Sequence, residues 1–205
     1  MRLTGLPVNP QIVRETRSPA EVRKELGWDE DMLACLVVSG PRTQKMAEIT
    51  QALDKVQDLQ VVVVCGGNDE LYEEFKQMEW EGIVHLYDWV EQMPQLFKAS
   101  DFIVSKAGGL IVSEALASGL PMIIPEALPG QETGNKEYVI ENQAGVWAPE
   151  MEDILQAVTS WLENDAALLK EMKANAANLG KPQAAYEVAK GLWGLSGGDS
   201  PVQEE

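Results

Sequence analysis

The feature that most constrains the fold is a regular alternation between short apolar runs rich in β-branched residues and longer amphipathic stretches. The runs that predict strands lie at residues 33–39, 60–66, 83–86, 101–105, 120–125 and 145–147. Strands that are apolar along their length and separated by helices are typical of a parallel sheet covered on both faces. The sequence therefore predicts a doubly wound, Rossmann-like α/β domain.

The pattern also divides the chain into three segments. Residues 1–14 contain two prolines and predict an extended segment that leads into the fold. Residues 15–194 predict the domain itself, which becomes purely helical after Pro149. Residues 195–205 are rich in Gly, Ser, Pro and acidic residues and predict a disordered tail.

Charge narrows the range of partners. The chain has 33 acidic and 16 basic residues, for a net charge of −17, which argues against nucleic acid and against direct contact with an anionic membrane. No apolar run is long enough to span a bilayer and no signal pattern opens the chain. Cys35 and Cys65 fall in predicted strands, as buried reduced thiols do. These observations favour a cytoplasmic protein.

The most informative motif is residues 105–135, which read as a strand end, a glycine turn, a helix, a strand and a polar loop that opens another helix. Gly108 and Gly109 would let N–H groups at the helix start approach a phosphate, although they could also simply make a tight turn. Glu114 lies five residues further and can reach a sugar hydroxyl. Alternatively, it is a solvated acid or a partner of the helix dipole. Together these features predict a nucleotide-sugar site.

Other candidate positions follow neighbouring strands. Residues 39–43 form a second possible phosphate loop, or an ordinary helix start capped by Ser39 or Thr43. Trp89 lies on a predicted ligand-facing loop. His85, the single histidine, falls within a strand and is interpreted as a core residue rather than a catalytic base.

Several motifs are absent from the sequence. It contains no CxxC, HExxH or GxSxG, and neither the dinucleotide fingerprint nor the P-loop. We therefore expect no metal site, no nucleophilic triad and no nicotinamide cofactor.

The glycine motif and its surroundings closely resemble the C-terminal half of monogalactosyldiacylglycerol synthase and, more loosely, MurG, the N-acetylglucosaminyltransferase of peptidoglycan synthesis. The resemblance covers roughly residues 5–180. It is carried by residues 105–109, 113–117, 119–124 and 129–132 and by Asn135.

The resemblance implies a GT-B fold, in which two Rossmann-like halves enclose a cleft. The C-terminal half of such enzymes holds the UDP-sugar, and the N-terminal half binds the acceptor and usually supplies the general base. This chain would then be the donor-binding part of an inverting, metal-independent hexosyltransferase that moves galactose or glucose to a lipid such as diacylglycerol. The resemblance implies no cofactor and no catalytic residue here. The acceptor half would belong to the same chain or to a second one, and only that half would contact the membrane. Because the acceptor half is needed for transfer, we expect the isolated chain to be inactive.

By position, the resemblance also implies a set of contacts with the UDP-sugar. At the diphosphate they are Gly108 and Gly109 with Ser39, Gly40 and Arg42, and at the ribose Glu114. Gln131 and Glu132 would face the sugar, and Tyr87, Trp89 and Val90 would contact the uracil, partly through their backbone. Asn135 belongs to the same set of UDP-sugar contacts.

Two departures from the family pattern leave an alternative open. The loop after the first strand is glycine-rich in MurG-like chains, but here Pro41 lacks an N–H and Arg42 would have to replace that contact. The resemblance also accounts for only about half of such an enzyme, which predicts a fragment or one of two subunits. The alternative is a non-catalytic nucleotide-sugar-binding module or a degraded half. An isolated half is also expected to expose an apolar surface along the carboxyl ends of the strands and to self-associate weakly.

Overall fold

The computed structural model describes residues 3–38 and 45–196. Its strands are β1 (Leu33–Val38), β2 (Leu59–Val64), β3 (Ile83–Tyr87), β4 (Phe102–Val104), β5 (Met122–Ile124) and β6 (Gly145–Trp147). Its helices are α1 (Gln11–Arg14), α2 (Pro19–Leu26), α3 (Met46–Asp54), α4 (Asp69–Gln77), α5 (Met93–Ala99), α6 (Gly109–Ala117), α7 (Thr133–Glu141), α8 (Met151–Leu179) and α9 (Ala184–Leu195). The six predicted strands are confirmed, with ends that shift by a few residues, and helices follow Pro149 as predicted.

The strands form one parallel sheet in the order β3-β2-β1-β4-β5-β6. The chain builds outward from β1 to β3 and then restarts on the other side of β1 at β4. The order therefore reverses between β1 and β4, where Val37 lies opposite Val104. In open α/β sheets the crevice at the carboxyl ends of the strands at such a reversal is where ligands bind.

The two faces of the sheet pack against two separate apolar clusters. Along β1, Ala34 and Leu36 face the cluster covered by α2, α5, α6 and α7. Cys35 and Val37 face the cluster covered by α3, α4 and α8. Cys35 and Cys65 are both free and buried, as predicted. The alternation confirms that both faces of the sheet are covered.

The N-terminal segment differs from the prediction at its end. Residues 3–9 have no regular secondary structure, and residues 11–14 form α1 instead of continuing as an extended segment. The Asn9 side chain accepts a hydrogen bond from the Gln11 N–H at 3.0 Å, and the Asn9 carbonyl accepts from the Ile12 N–H at 3.0 Å. These bonds start a helical turn that packs Ile12 against the core. At the other end, α9 reaches Leu195, and residues 197–205 of the predicted tail lie outside the described residues.

At the amino ends of the strands, a partly buried charge network joins the layers of the fold. The Asp101 carboxylate accepts hydrogen bonds from Arg23 Nη2 at 2.6 Å, from Lys173 Nζ at 2.9 Å and from the Ala34 N–H at 2.9 Å. Burial alone would raise the pKa of Asp101, but Lys173, the Ala34 N–H and Arg23 outweigh it and lower that pKa. The network ties α2, β1 and α8 to the start of β4.

Candidate functional site

The loops after β4 and β5 meet at the carboxyl edge, next to the reversal of strand order. The Ser105 N–H donates to the Ile123 carbonyl at 3.2 Å, and the Ala107 N–H donates to the Glu126 carbonyl at 3.1 Å. The loop after β1 contains the predicted diphosphate contacts Ser39, Gly40 and Arg42, which lie outside the described residues. The described part of the site is therefore built from the loops after β4 and β5.

Helix α6 begins at this edge without a cap. Gly108 is its N-cap residue, no side chain caps it, and its first turn contains no acidic residue. The N–H groups of residues 109–111 are the first of the helix and have no partner within it. The Gly108 N–H, by contrast, donates to the Lys106 carbonyl at 2.9 Å. The structure thus leaves the Gly109 amide open to a ligand and occupies the Gly108 amide, which was also predicted to be open.

Neither glycine is required by the turn. Gly108 has a φ of −64°, which any residue adopts. A Cβ atom at Gly108 would lie 3.5 Å from its nearest neighbour, and one at Gly109 would lie 3.7 Å from Asn135 Nδ2. Both distances are ordinary van der Waals contacts. The alternative in which the glycines serve only a tight turn therefore has no support in the backbone, whereas close approach by a ligand would explain them.

Glu114 lies on α6, about 8 Å along the helix axis from Gly109. Its side chain is half-buried, and burial raises the pKa of Glu114 above its usual value. The Asn9 N–H donates to the carboxylate and offsets part of that rise. The structure thus places Glu114 on the predicted helix, but between that helix and the N-terminal segment.

Glu132 has a different environment from the one predicted. It is 2% exposed. One carboxylate oxygen accepts from Lys106 Nζ at 2.7 Å and the other from the Leu128 N–H at 3.0 Å. Gln131, its neighbour, is exposed. Of the two residues predicted to face the sugar, only Gln131 has a side chain open to solvent.

Asn135 joins α7 to the glycine turn. Its Nδ2 donates to the Ala107 carbonyl at 2.9 Å and lies beside Gly109. Asn135 thus holds the start of α6 in place, and its amide group lies at the predicted site.

The predicted uracil contacts lie further along the edge. Strands β3 and β4 are separated by β2 and β1, a distance of about 14 Å at ordinary strand spacing. The Tyr87 hydroxyl accepts from Trp28 Nε1 at 2.9 Å, and Val90 packs on the core. Trp89 is 69% exposed, with Gly67 beside its ring. Trp89 is therefore the member of this group whose side chain is open to a ligand.

His85 is a packed strand residue, in line with its interpretation from the sequence. Its ring stacks on Trp28 with centroids 5.6 Å apart, and its Nε2 lies 3.2 Å from Gln60 Oε1. Burial lowers the pKa of His85. Within residues 3–38 and 45–196, no group of three or more His, Cys, Asp or Glu side chains is arranged to hold a metal ion.

Sequence reasoning included Lys106 in the motif but gave it no role. In the structure its ammonium group lies on Glu132, and its Cε would be 3.8 Å from a Cβ on Gly108. A signal was present in the sequence: a lysine directly after a buried strand and two residues before a glycine pair. Such a position places a cation at the carboxyl edge.

Comparison with known protein families shows which family the chain belongs to. The model of the family described as glycosyl transferases group 1 matches residues 20–179. The chain belongs to this family.

Two curated relatives are similar across nearly the whole chain. A probable monogalactosyldiacylglycerol synthase of Glycine max is 34% identical over 201 residues, which cover 94% of this chain and 38% of the relative. Monogalactosyldiacylglycerol synthase 1 of Arabidopsis thaliana is 33% identical over 197 residues, which cover 92% of this chain and 37% of the relative. The predicted resemblance is confirmed, and the chain spans well under half the length of these relatives.

Three solved structures share the fold at low sequence identity. WaaG, a glycosyltransferase involved in lipopolysaccharide biosynthesis, has a TM-score of 0.67 at 16% identity and covers 96% of this chain and 56% of its own. Acinetobacter baumannii MurG has a TM-score of 0.66 at 19% identity, with 92% and 56% covered. The S. aureus MnaA–UDP co-structure has a TM-score of 0.65 at 16% identity, with 90% and 51% covered. The Rossmann-like fold of GT-B glycosyltransferases is thereby confirmed.

Whether a helix of the chain could cross a membrane is answered by the structure. Among the helices described, none combines the length and the apolar character needed to cross a bilayer.

Proposed function

We propose that this chain is the UDP-sugar-binding part of a hexosyltransferase that transfers galactose or glucose to a lipid acceptor such as diacylglycerol. One observation carries the proposal. At the reversal of strand order, α6 presents uncapped N–H groups behind two glycines that the fold itself does not require. That arrangement suits a bound diphosphate.

The family relatives support the nature of the donor and the acceptor. The curated relatives are named as synthases of monogalactosyldiacylglycerol, and a structure of the same fold was solved with UDP. Glu114 lies on the same helix as the diphosphate site, where it would accept hydrogen bonds from the ribose. Gln131 and Trp89 are exposed at the same edge and would contact the sugar and the uracil.

The proposed chemistry is inverting transfer without a metal ion. The acceptor hydroxyl attacks the anomeric carbon, the bond to the diphosphate breaks, and negative charge develops on the departing UDP. The N–H groups at the start of α6 and the Lys106 ammonium would stabilise that charge. Losing one such donor typically raises a barrier by about 3 kcal/mol. The base that accepts the hydroxyl proton would come from the other half of the enzyme.

The exposed apolar residues fit a chain that functions with a second half. At the carboxyl edge, Trp89, Leu110 and Trp147 are 69%, 55% and 40% exposed. Away from that edge, Leu192 and Leu195 at the end of α9 are 64% and 87% exposed. The three at the carboxyl edge lie where a second half would enclose the proposed cleft. The relatives, of which this chain spans less than half, are long enough to contain the acceptor-binding half.

Calorimetric titration of UDP and of UDP-galactose tests the proposal. We expect saturable heat at micromolar to millimolar ligand and a rise in unfolding temperature. Glu114→Ala removes the proposed ribose contact and should weaken both ligands by about tenfold. Glu137→Ala, an exposed acid on α7, is the matched control and should leave both affinities unchanged. No heat at millimolar UDP, or equal effects of the two variants, would contradict the proposal.

A second candidate is a non-catalytic module that binds a nucleotide-sugar. It is favoured by Pro41, which removes an amide from the loop after β1. The two candidates separate when the acceptor-binding part of a monogalactosyldiacylglycerol synthase is added in trans with UDP-galactose and diacylglycerol. Galactosyl transfer supports the enzyme part, whereas UDP binding that is never accompanied by transfer supports the module.

A further inference from the structure

One buried carboxylate lies beside the glycine turn, next to a lysine and the starts of two helices. The Lys106 ammonium lies 2.7 Å from Glu132 Oε1. A Cβ on Gly108, the N-cap residue of α6, would lie 3.7 Å from the same oxygen. Glu132 is itself the N-cap residue of α7. The acid therefore bonds a lysine and lies near two helix starts, where negative charge is favoured.

The charge of Glu132 is stabilised in this environment. Burial alone would raise the pKa of Glu132, but the Lys106 ammonium and the Leu128 N–H outweigh it and lower that pKa. The carboxylate is therefore ionised at neutral pH. In a chain of net charge −17, it holds a cation at the one edge where an anionic ligand is expected.

The two partners of the ion pair differ in exposure. The Glu132 side chain is 3% exposed and that of Lys106 is 34% exposed. Both oxygens of Glu132 already accept hydrogen bonds from the protein. A ligand can thus reach the ammonium group without displacing the carboxylate, whereas the carboxylate itself is covered by the protein.

We propose that Glu132 is a positioning residue that holds the Lys106 ammonium beside the start of α6, where Lys106 contacts the diphosphate of the donor, and that Glu132 does not itself contact the sugar. The inference rests on the proposed function. It reassigns Glu132 from the sugar contact implied by the family resemblance to a support for the phosphate contact.

Titrations of two ligands into four forms of the full chain distinguish these roles. The forms are wild type, Glu132→Gln, Lys106→Met and the double variant, and the ligands are UDP and UDP-galactose. If Glu132 positions Lys106, each single variant weakens UDP and UDP-galactose by the same factor, about tenfold. The double variant should then be no weaker than Lys106→Met alone, because the two residues act through one contact.

A sugar contact predicts the opposite pattern. Glu132→Gln would then weaken UDP-galactose and leave UDP unchanged, and its effect would add to that of Lys106→Met. Either result would overturn the inference.

Two further lysine variants allow the inference to be tested even if the Glu132→Gln variant does not fold. Lys106→Arg retains the cation and should bind UDP within about threefold of wild type, whereas Lys106→Met should also flatten the dependence of UDP affinity on salt. Lys136→Met is the matched control, because it removes the same charge from α7, where the ammonium lies 5.0 Å from the Trp147 ring centroid. Equal behaviour of Lys136→Met and Lys106→Met would overturn the role of Lys106.

These outcomes also separate the inference from the proposed function. If wild type fails to bind UDP, both fall. If wild type binds UDP and Glu132→Gln affects only UDP-galactose, the proposed function stands and the positioning role of Glu132 is wrong.

Discussion

The two edges of the sheet each contain an acid paired with a lysine, but the surroundings of the two acids differ. At the amino ends of the strands, Asp101 binds two cations and a backbone N–H from three different elements. At the carboxyl ends, Glu132 has one cation, which is partly exposed, and lies beside two helix starts. Asp101 therefore joins three elements at the amino edge, whereas Glu132 holds a single lysine beside the start of α6 at the carboxyl edge.

The comparison shows how one domain assigns its cations to different tasks. Arg23 is 7% exposed, and its guanidinium also donates to the carbonyls of Ala99, Glu30 and Met32. Its hydrogen bonds are directed at the protein itself. Lys106 makes one ion pair and keeps a third of its side chain in solvent. The first arrangement stabilises the fold and the second is suited to binding an anion.

The largest expected difference between the two acids is in stability. Asp101→Asn leaves the buried Arg23 without its counter-ion and should lower the free energy of unfolding by about 3 kcal/mol. Glu132→Gln should cost about 1 kcal/mol, because Lys106 can turn into solvent. Urea unfolding followed by circular dichroism measures both. Equal costs for the two variants would remove the distinction between the edges.

Acid should erase the stabilising effect of Asp101. The pKa of Asp101 is lowered in the folded chain, so its stabilising contribution is fully present above the unfolded value of about 3.9 and is lost as the pH falls through the folded value. The difference in unfolding free energy between wild type and Asp101→Asn should be constant between roughly pH 6 and 8, where the carboxyl group is ionised in both the folded and the unfolded state. It should shrink below about pH 4. A difference that grows in acid would contradict this assignment.

At the carboxyl edge, the Gly109→Ala substitution should lower UDP affinity and leave stability nearly unchanged. Gly109→Ala has room for its Cβ and sits at a helix start, so the free energy of unfolding should change by less than about 1 kcal/mol. The same methyl group would cover N–H groups proposed to bind the diphosphate, so UDP affinity should fall by about tenfold or more. Calorimetry and urea unfolding of one preparation give both values. Unchanged UDP affinity would return the glycine to a purely structural role.

The sequence predicted the sheet better than it predicted the site. Continuous apolar runs report burial on both faces, so the strands followed directly from local pattern. The charged partner of Glu132 lies 26 residues away in sequence, and the charged partners of Asp101 lie 72 and 78 residues away. Such pairings form only when the layers pack, and no local spacing contains them. The motif located the glycine turn, but only the packed structure showed that Glu132 is buried beneath it.

The smallest expected effect concerns the exposed apolar end of α9, a second candidate surface for self-association besides the carboxyl edge. Replacing both Leu192 and Leu195 by serine should change the free energy of unfolding by less than about 0.5 kcal/mol, because both side chains are exposed. It should weaken self-association by about tenfold in sedimentation velocity, because it removes apolar surface. Leu168→Ser, at a position 39% exposed on α8, is the control. A strictly monomeric wild type at high concentration would leave no self-association for these leucines to explain.

The central claim is that the open start of α6, at the reversal of strand order, binds the diphosphate of a nucleotide-sugar. A crystal structure of the chain with UDP tests it most directly. We expect the diphosphate oxygens within hydrogen-bonding distance of the N–H groups of residues 109–111 and of Lys106 Nζ, with the ribose near Glu114. UDP bound at any other surface, with α6 still open to solvent, would contradict the claim.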